Sequence, residues 1–283
     1  MTTLTNAGIE DRQEPQNNPH LVALDVDGTL VDHDGHMSAG VRDAAQSAMA
    51  AGHHLVIATG RSYGAALPIL ERLGITKGYC VCSNGGVTLE IDVSLPDGYR
   101  VLDRVVFDPS VALDALRVSL PTAKFALEDS HGNFLSTERF QDASFGVEAQ
   151  PVDFERLRSA EAVRVVVFST DSTAEEFGEA VRAIGLHGVT YSVGWTAWLD
   201  IAAEGVTKAS ALEKVRSTLG IERKHTVAMG DGRNDIEMLS WAGRGVAMGQ
   251  APQEVLEAAT EVTGTVYEDG AATILRGLSN PQS

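Results

Sequence analysis

The sequence predicts an α/β protein: a parallel sheet covered by helices on both faces, interrupted by an inserted α+β domain. Short, nearly continuous apolar runs alternate with amphipathic helical segments at both ends of the chain, which a parallel sheet buried on two sides requires. Between them the texture changes to hairpin-like segments with Pro and Gly turn signals such as "SLPDGYR".

Residues 1 to 18 are polar and unpatterned and read as a disordered tail. "LVALD" is a strand and "SAGVRDAAQSAMAAG" a helix with Val41, Ala45, Ala48 and Met49 on one face. "HHLVIATG" is a strand, "RSYGAALPILERLG" a helix and "GYCVCSNGG" a strand, completing a first core segment over 19–86. The insertion is expected over 87–195, with "AVRVVVFST" as a strand and "TAEEFGEAVRAIG" as a helix. The core resumes over 196–283 with "TKASALEKVRSTLG" (helix), "HTVAMGD" (strand), "NDIEMLSWAG" (helix), "GVAMG" (strand) and "PQEVLEAAT" (helix).

The chain of 283 residues carries 22 Lys and Arg against 39 Asp and Glu, a formal charge of -17, and shows no basic run. That balance repels nucleic acid and anionic membranes. No apolar run approaches the roughly 20 residues needed to span a bilayer, and the N-terminus lacks a signal-peptide pattern, so a cytoplasmic protein is expected. Cys80 and Cys82 are separated by one residue and read as reduced packing residues; zinc would want two further ligands.

Open parallel sheets bind ligands beyond the carboxyl ends of their strands. Four such ends are unusual: Asp25-Val26-Asp27-Gly28-Thr29, Thr59-Gly60-Arg61, Ser83-Asn84-Gly85-Gly86 and Gly230-Asp231-Gly232-Arg233-Asn234-Asp235. Asp25 and Asp27, at i and i+2, would lie roughly 6 to 7 Å apart in extended chain. Two carboxylates so close need a compensating cation. Hard cations such as Mg²⁺ suit carboxylate oxygens, and Asp231 is the candidate ligand from the second acidic loop. The alternative is that Asp25 and Asp27 only cap a turn.

Other motifs compete for these residues. An EF-hand loop from Asp32 would need Gly where Met37 stands, and a dinucleotide fingerprint at "GDGRND" would place Asp235 against a phosphate. "GRSYG" matches a nucleophile elbow with Ser62 as nucleophile, as in a serine esterase. Its acid and histidine would be Asp200 and His225, but His225 begins its strand and so sits at the wrong sheet edge. A Ser there is otherwise a helix cap.

Taken together, "DVDGTL", "ATGR", "GVTKASAL" and "GDGRNDIEML" resemble the four ordered motifs of the haloacid dehalogenase superfamily, in its Cof-type sugar-phosphatase branch, with "SNGG" and "GVAMG" also in family style. Gln250 stands where Asn often follows "AMG", and Gly86 where Ala is common after "SNG". The resemblance implies a Rossmann-like core with a C2B-type cap inserted between the second and third motifs. It implies a phosphatase acting on small phosphomonoesters, sugar phosphates foremost, as a monomer or homodimer. In the implied mechanism Asp25 is the nucleophile that forms an aspartyl-phosphate, and Asp27 serves as general acid and base. Lys208 offsets transition-state charge, while Thr59, Gly60, Asn84 and Asn234 bind the phosphoryl group. Mg²⁺ is held by Asp25, Asp231 and the backbone carbonyl of Asp27, with Asp235 orienting the site.

Several residues keep two readings. Arg61 either contacts substrate or makes a structural salt bridge, Lys208 is otherwise a helix-start surface lysine, and Asn234 is otherwise an N-cap. Trp195 and Trp198 either stack on a sugar or pack the hinge. Two further functions stand beside the phosphatase: a phosphomutase acting on hexose phosphates, and a non-catalytic sugar-phosphate sensor. Both use the same residues, but a sensor needs no nucleophile.

Overall fold

The computed structural model describes residues 18–138, 144–194 and 196–279. The expected tail (but for residue 18) and Trp195 lie outside the described residues. In chain order the first segment contains β1 (Leu21–Leu24), α1 (Ala39–Ala50), β2 (His54–Ala58), α2 (Tyr63–Leu73), β3 (Lys77–Cys82), β4 (Val87–Asp92) and β5 (Tyr99–Arg104). The middle contains α3 (Ser110–Ser119), β6 (Lys124–Asp129), β7 (Phe134–Ser136), β8 (Gln150–Pro151), α4 (Phe154–Arg158), β9 (Ala162–Phe168), α5 (Ala174–Ile184), β10 (Val189–Val193) and β11 (Trp198–Ala203). The last contains α6 (Lys208–Leu219), β12 (Thr226–Gly230), α7 (Ile236–Trp241), β13 (Arg244–Ala247), α8 (Gln253–Ala258), β14 (Glu261–Val262) and α9 (Gly270–Ser279).

The strands form two sheets. The larger has the order β14-β13-β12-β1-β2-β3-β4-β5, parallel from β14 through β3 and antiparallel over the β3, β4 and β5 meander. Strand β1 lies in the middle and is wholly buried, which its unbroken LVAL run demands. Its alternate residues feed two cores: Val22 and Leu24 pack beneath α1, α2 and α9, while Leu21 and Ala23 pack beneath α6, α7 and α8. Each such fully buried Leu or Val is worth roughly 1.5–3 kcal/mol. Helix α1 starts at Ser38, whose hydroxyl accepts from the Val41 amide, and buries Val41, Ala44, Ala45 and Ala48; Met49 is partly buried at the edge of this face.

The smaller sheet has the order β10-β11-β9-β6-β7-β8. Val165 and Val167 of β9, Phe125 and Leu127 of β6, and Leu199 and Ile201 of β11 pack under α3 and α5. The opposite face, bearing Ala126, Val166, Phe168 and Trp198, roofs the carboxyl end of the larger sheet.

The sheets move both expected boundaries of the inserted domain. The segment 87–104 was expected at its start, but β4 and β5 pair onto β3 in the core sheet. The Pro-Gly turn does close a hairpin, as expected, but turn chemistry marks a hairpin without naming the sheet it joins. At the other end β11 was expected in the resumed core, but it pairs with β9 and β10. We therefore place the two junctions after Arg104 and after Ala203. Helix α9, to which the sequence reading assigned no element, covers α1 and buries Ala271, Ala272, Ile274 and Leu275. Among the described residues no helix is long and apolar enough to cross a membrane.

Candidate active site

Strands β12, β1, β2 and β3 are consecutive neighbours in the sheet, so their four distinctive ends converge. Asp25 lies just past β1 and is buried, with 5% of its surface exposed. Its Oδ1 accepts from the Lys208 ammonium at 2.6 Å. Lys208 opens α6, capped by the Thr207 hydroxyl, and its side chain is wholly buried. The same ammonium donates to Asp235 Oδ1 at 2.6 Å. Asp235 Oδ2 accepts from the amides of Asp231 and Gly232 at 3.0 and 2.9 Å, which fixes the turn after β12.

Asp231 is buried beside them, and Gln250 holds it. The Gln250 amide nitrogen donates to Asp231 Oδ2 at 3.2 Å and to the Gly28 carbonyl at 2.6 Å, while its oxygen accepts from the Val266 amide. Gly28 has φ +82°, and a Cβ there would fall 2.1 Å from Asp231 Oδ2, so only glycine permits this approach.

Asp27 points to the cavity mouth. Its carboxylate takes a two-point contact from Arg61, at 2.9 Å from Nε and 2.6 Å from Nη2, and stays more than half exposed. Of the two readings of Arg61, an ion pair is therefore present, with Asp27 as partner. Thr59 is buried, and its hydroxyl accepts from the Arg61 amide at 3.1 Å. Asn84 accepts from the Asn234 side chain at 2.9 Å, and its oxygen would lie 3.2 Å from a Cβ at Gly60, so these three residues meet. Asn84 and Ser83 both adopt left-handed φ, near +53° and +50°. Gly85 lets this loop abut the start of α6, since a Cβ there would fall 2.2 Å from the Thr207 carbonyl.

Burial first, then the Asp235 carboxylate, push the Asp25 carboxyl well above the usual carboxylate range. The same two causes push Asp231 up to about 7. Burial opposes the charge of Lys208, but Asp235 and Asp25 outweigh it and hold the ammonium above its ordinary value. One ammonium thus faces three carboxyl groups whose oxygens, on Asp25, Asp231 and Asp235, approach within 4.8 Å of one another. The surplus negative charge and the all-oxygen donor set fit a hard divalent cation.

The competing motifs resolve structurally. Ser62 is buried, donates to the Phe145 carbonyl at 2.7 Å and accepts from the Ala65 amide, so it caps α2, and among the described residues no histidine or carboxylate hydrogen-bonds to it, which leaves the serine-esterase reading without support. His225 lies at the opposite end of β12, against His20. Cys80 and Cys82 are buried free thiols, 3.5 Å apart. Trp198 lines the cavity and donates to Asp200 at 2.9 Å.

Sequence reasoning missed the roof. Arg164, Asp200 and Glu128 come from the smaller sheet, and the only signal for them was a charge interrupting an apolar strand, as in "AVRVVVF". Glu128, wholly buried, accepts from the Ser83 hydroxyl at 2.6 Å and so ties the roof to the third loop.

A parallel sheet with buried acids and a lysine at its strand ends, and a second sheet closing over them, defines a capped α/β protein whose site lies between the two sheets. Residues 22–275 match the haloacid dehalogenase-like hydrolase family, and the chain belongs to it. It is 27% identical over 295 residues to the phosphatase YwpJ of Bacillus subtilis (strain 168), covering 91% of this chain and 99% of that one. It is 27% identical over 282 residues to the 5-amino-6-(5-phospho-D-ribitylamino)uracil phosphatase YitU of the same organism, covering 92% and 98%. The solved structure of the HAD subclass IIB sugar phosphatase BT4131 superposes with a TM-score of 0.76 at 26% identity, covering 92% of this chain and 99% of that one. The expected Cof-type membership holds, and the protein is an enzyme of the hydrolase class.

Proposed function

We propose that the protein is a Mg²⁺-dependent phosphatase of small phosphomonoesters, sugar phosphates foremost, working in the cytoplasm through an aspartyl-phosphate. The observation that carries this reading is the buried Lys208 ammonium shared by Asp25 and Asp235, with Asp231 alongside and Asp27 at the mouth. Binding alone would not require a carboxylate held so precariously between burial and like charge. The relatives named as phosphatases support the same chemistry.

Each step is assigned to a side chain. Lys208 holds one oxygen of Asp25 and leaves the other to attack phosphorus; the new O–P bond forms as the bond from phosphorus to the departing alcohol oxygen breaks. Asp27 gives that oxygen its proton. Thr59, the Gly60 amide, Asn84 and Asn234 donate to the phosphoryl oxygens, and Lys208 offsets their growing charge. Water then attacks phosphorus, passes a proton to Asp27 and breaks the bond to Asp25, which releases phosphate and restores both carboxyl groups. Asp25, Asp231 and the Asp27 carbonyl would hold Mg²⁺, whose charge would offset repulsion between the anionic nucleophile and the phosphoryl group. Arg61 places the Asp27 carboxyl group at the mouth, where a leaving group would pass.

The test is phosphate release from a panel of sugar phosphates and a chromogenic phosphomonoester, with Mg²⁺ and with chelator, for wild type and Asp25→Asn. Release that needs both Mg²⁺ and Asp25 is expected. Turnover that persists in Asp25→Asn would sink the reading, and isomerised product without net phosphate release would mean a mutase.

A further inference from the structure

The roof of the cavity has chemistry of its own. Alternation along β9 and β11 sends Val165, Val167, Leu199 and Ile201 to the helices and turns Arg164, Trp198 and Asp200 the other way. These three side chains line one cavity of about 490 Å³ with Asp25, Asp27 and Asp231. A guanidinium 97% buried is costly and needs a reason.

Arg164 is held but not satisfied. Its Nε donates to Asp200 Oδ1, and Asp200 Oδ2 accepts from the Trp198 indole, so the guanidinium is held against a carboxylate that is itself fixed on β11. Among the described residues no other hydrogen bond engages it, and Nη1 is buried without a partner. The group therefore keeps directional donors beside a fixed carboxylate and an aromatic ring. Adjacent donor and acceptor match hydroxyl groups, which both give and accept, and an aromatic face suits the C–H side of a polyol.

The charge balance decides which leaving group fits. Arg164 is neutralised by Asp200 and has Glu128 as its cross-strand neighbour on β6. Four carboxylates and three guanidiniums line the cavity, so a second anionic group would enter a field that is not positive. We propose that Arg164, Asp200 and Trp198 form a leaving-group subsite selecting a neutral polyhydroxylated alcohol, with Arg164 as its specificity-determining residue. The proposal rests on the phosphatase reading and adds to it which residues read the alcohol and what they reject.

The experiment compares kcat/KM for sorbitol 6-phosphate, n-hexyl phosphate and fructose 1,6-bisphosphate in wild type, Arg164→Leu and Arg164→Lys. Sorbitol 6-phosphate and hexyl phosphate match in chain length and differ in hydroxyls. Wild type is expected to favour the sorbitol ester over hexyl phosphate by about tenfold or more, the scale of a hydrogen bond to a charged donor. It is also expected to favour it over the bisphosphate. In Arg164→Leu the sorbitol-to-hexyl ratio should fall by about tenfold, mostly through KM, and Arg164→Lys should recover part of it.

Equal wild-type turnover of the two monoesters, a preference for the bisphosphate, or an unchanged ratio in Arg164→Leu overturns the subsite alone. If Arg164→Leu does not fold, the wild-type ratios still decide. No Asp25-dependent release from any ester overturns the phosphatase reading and the subsite with it.

Discussion

Lys208 and Asp25 lie 183 residues apart in the chain and meet at 2.6 Å, both buried, at the end of the central strand. Among the described residues the lysine is the one cation inside this group of three acids, bonded to Asp25 and Asp235 and acting electrostatically on Asp231. Replacing it with Met removes that charge and leaves the acids to repel one another. Breaking a buried pair of this kind costs roughly 3–5 kcal/mol. Lys208→Met should therefore unfold at clearly lower denaturant concentration and lose about 10²-fold or more in kcat, measured by urea titration and by phosphate release.

Gln250 reaches across to Asp231 and to the Gly28 carbonyl at once. Asn is one methylene shorter and cannot keep both contacts and the one to Val266. Partners that orient a metal ligand typically carry a factor of about 10 to 100 in metal affinity or activity. Gln250→Asn should raise the Mg²⁺ concentration needed for half-maximal activity by about that factor, with kcat at saturating metal little changed; a metal titration reads it directly.

Glu128 joins the two sheets. Truncation to Ala leaves the Ser83 hydroxyl without its acceptor and Arg104, 3.8 Å away, without its counter-charge. An unsatisfied buried group costs about 1–3 kcal/mol, so Glu128→Ala should lower stability by that amount in chemical denaturation. Burial raises the Glu128 carboxyl above its ordinary range, so Glu128→Gln, which still accepts from Ser83, should retain most of the stability. Because Ser83 precedes Asn84, the Ala variant should also raise KM.

Glu213 anchors the helix that starts at Lys208. Its carboxylate accepts from Arg216 on the same helix and from the Trp241 indole on α7, and these bonds lower it to about 2. A carboxylate lowered on folding stabilises at pH above its unfolded value, here 4.5, and that contribution is lost as pH falls toward 2. Thermal melts should therefore show wild type above Glu213→Gln at neutral pH, with the gap closing between about pH 4.5 and 2. Since Glu213 is nearly half exposed, the gap should be small.

The strand-end motifs were legible because each is local. A hydrophobic run ending in Asp25-Val26-Asp27, or in Gly230-Asp231, marks both the strand and the acidic loop beyond it, and neighbouring parallel strands bring such ends together by geometry. The acids, Thr59, Asn84, Lys208 and Asn234 could all be named from sequence, and they do lie around one cavity or in contact with residues that line it. The runs "AVRVVVFST" and "TAEEFGEAVRAIG" likewise read as strand and helix, which are β9 and α5.

Pairing across distance is the part that the linear pattern left open. The run from 87 to 104 reads as hairpin-like and the segment Trp198–Ala203 was given no element, and nothing local says that the first joins the core sheet and the second the roof, because any open sheet edge accepts a strand. The same holds for side chains. Arg164 reads as one charge in an apolar strand; only the partnering of β9 with β11 sets it beside Asp200 and Trp198, in the cavity that Asp25, Asp27 and Asp231 also line. The sequence alone determined which residues gather at the floor, since motif residues sit within a few positions of each strand end. The tertiary structure decided the roof, since its residues are separated in the chain and become neighbours only when the sheets form.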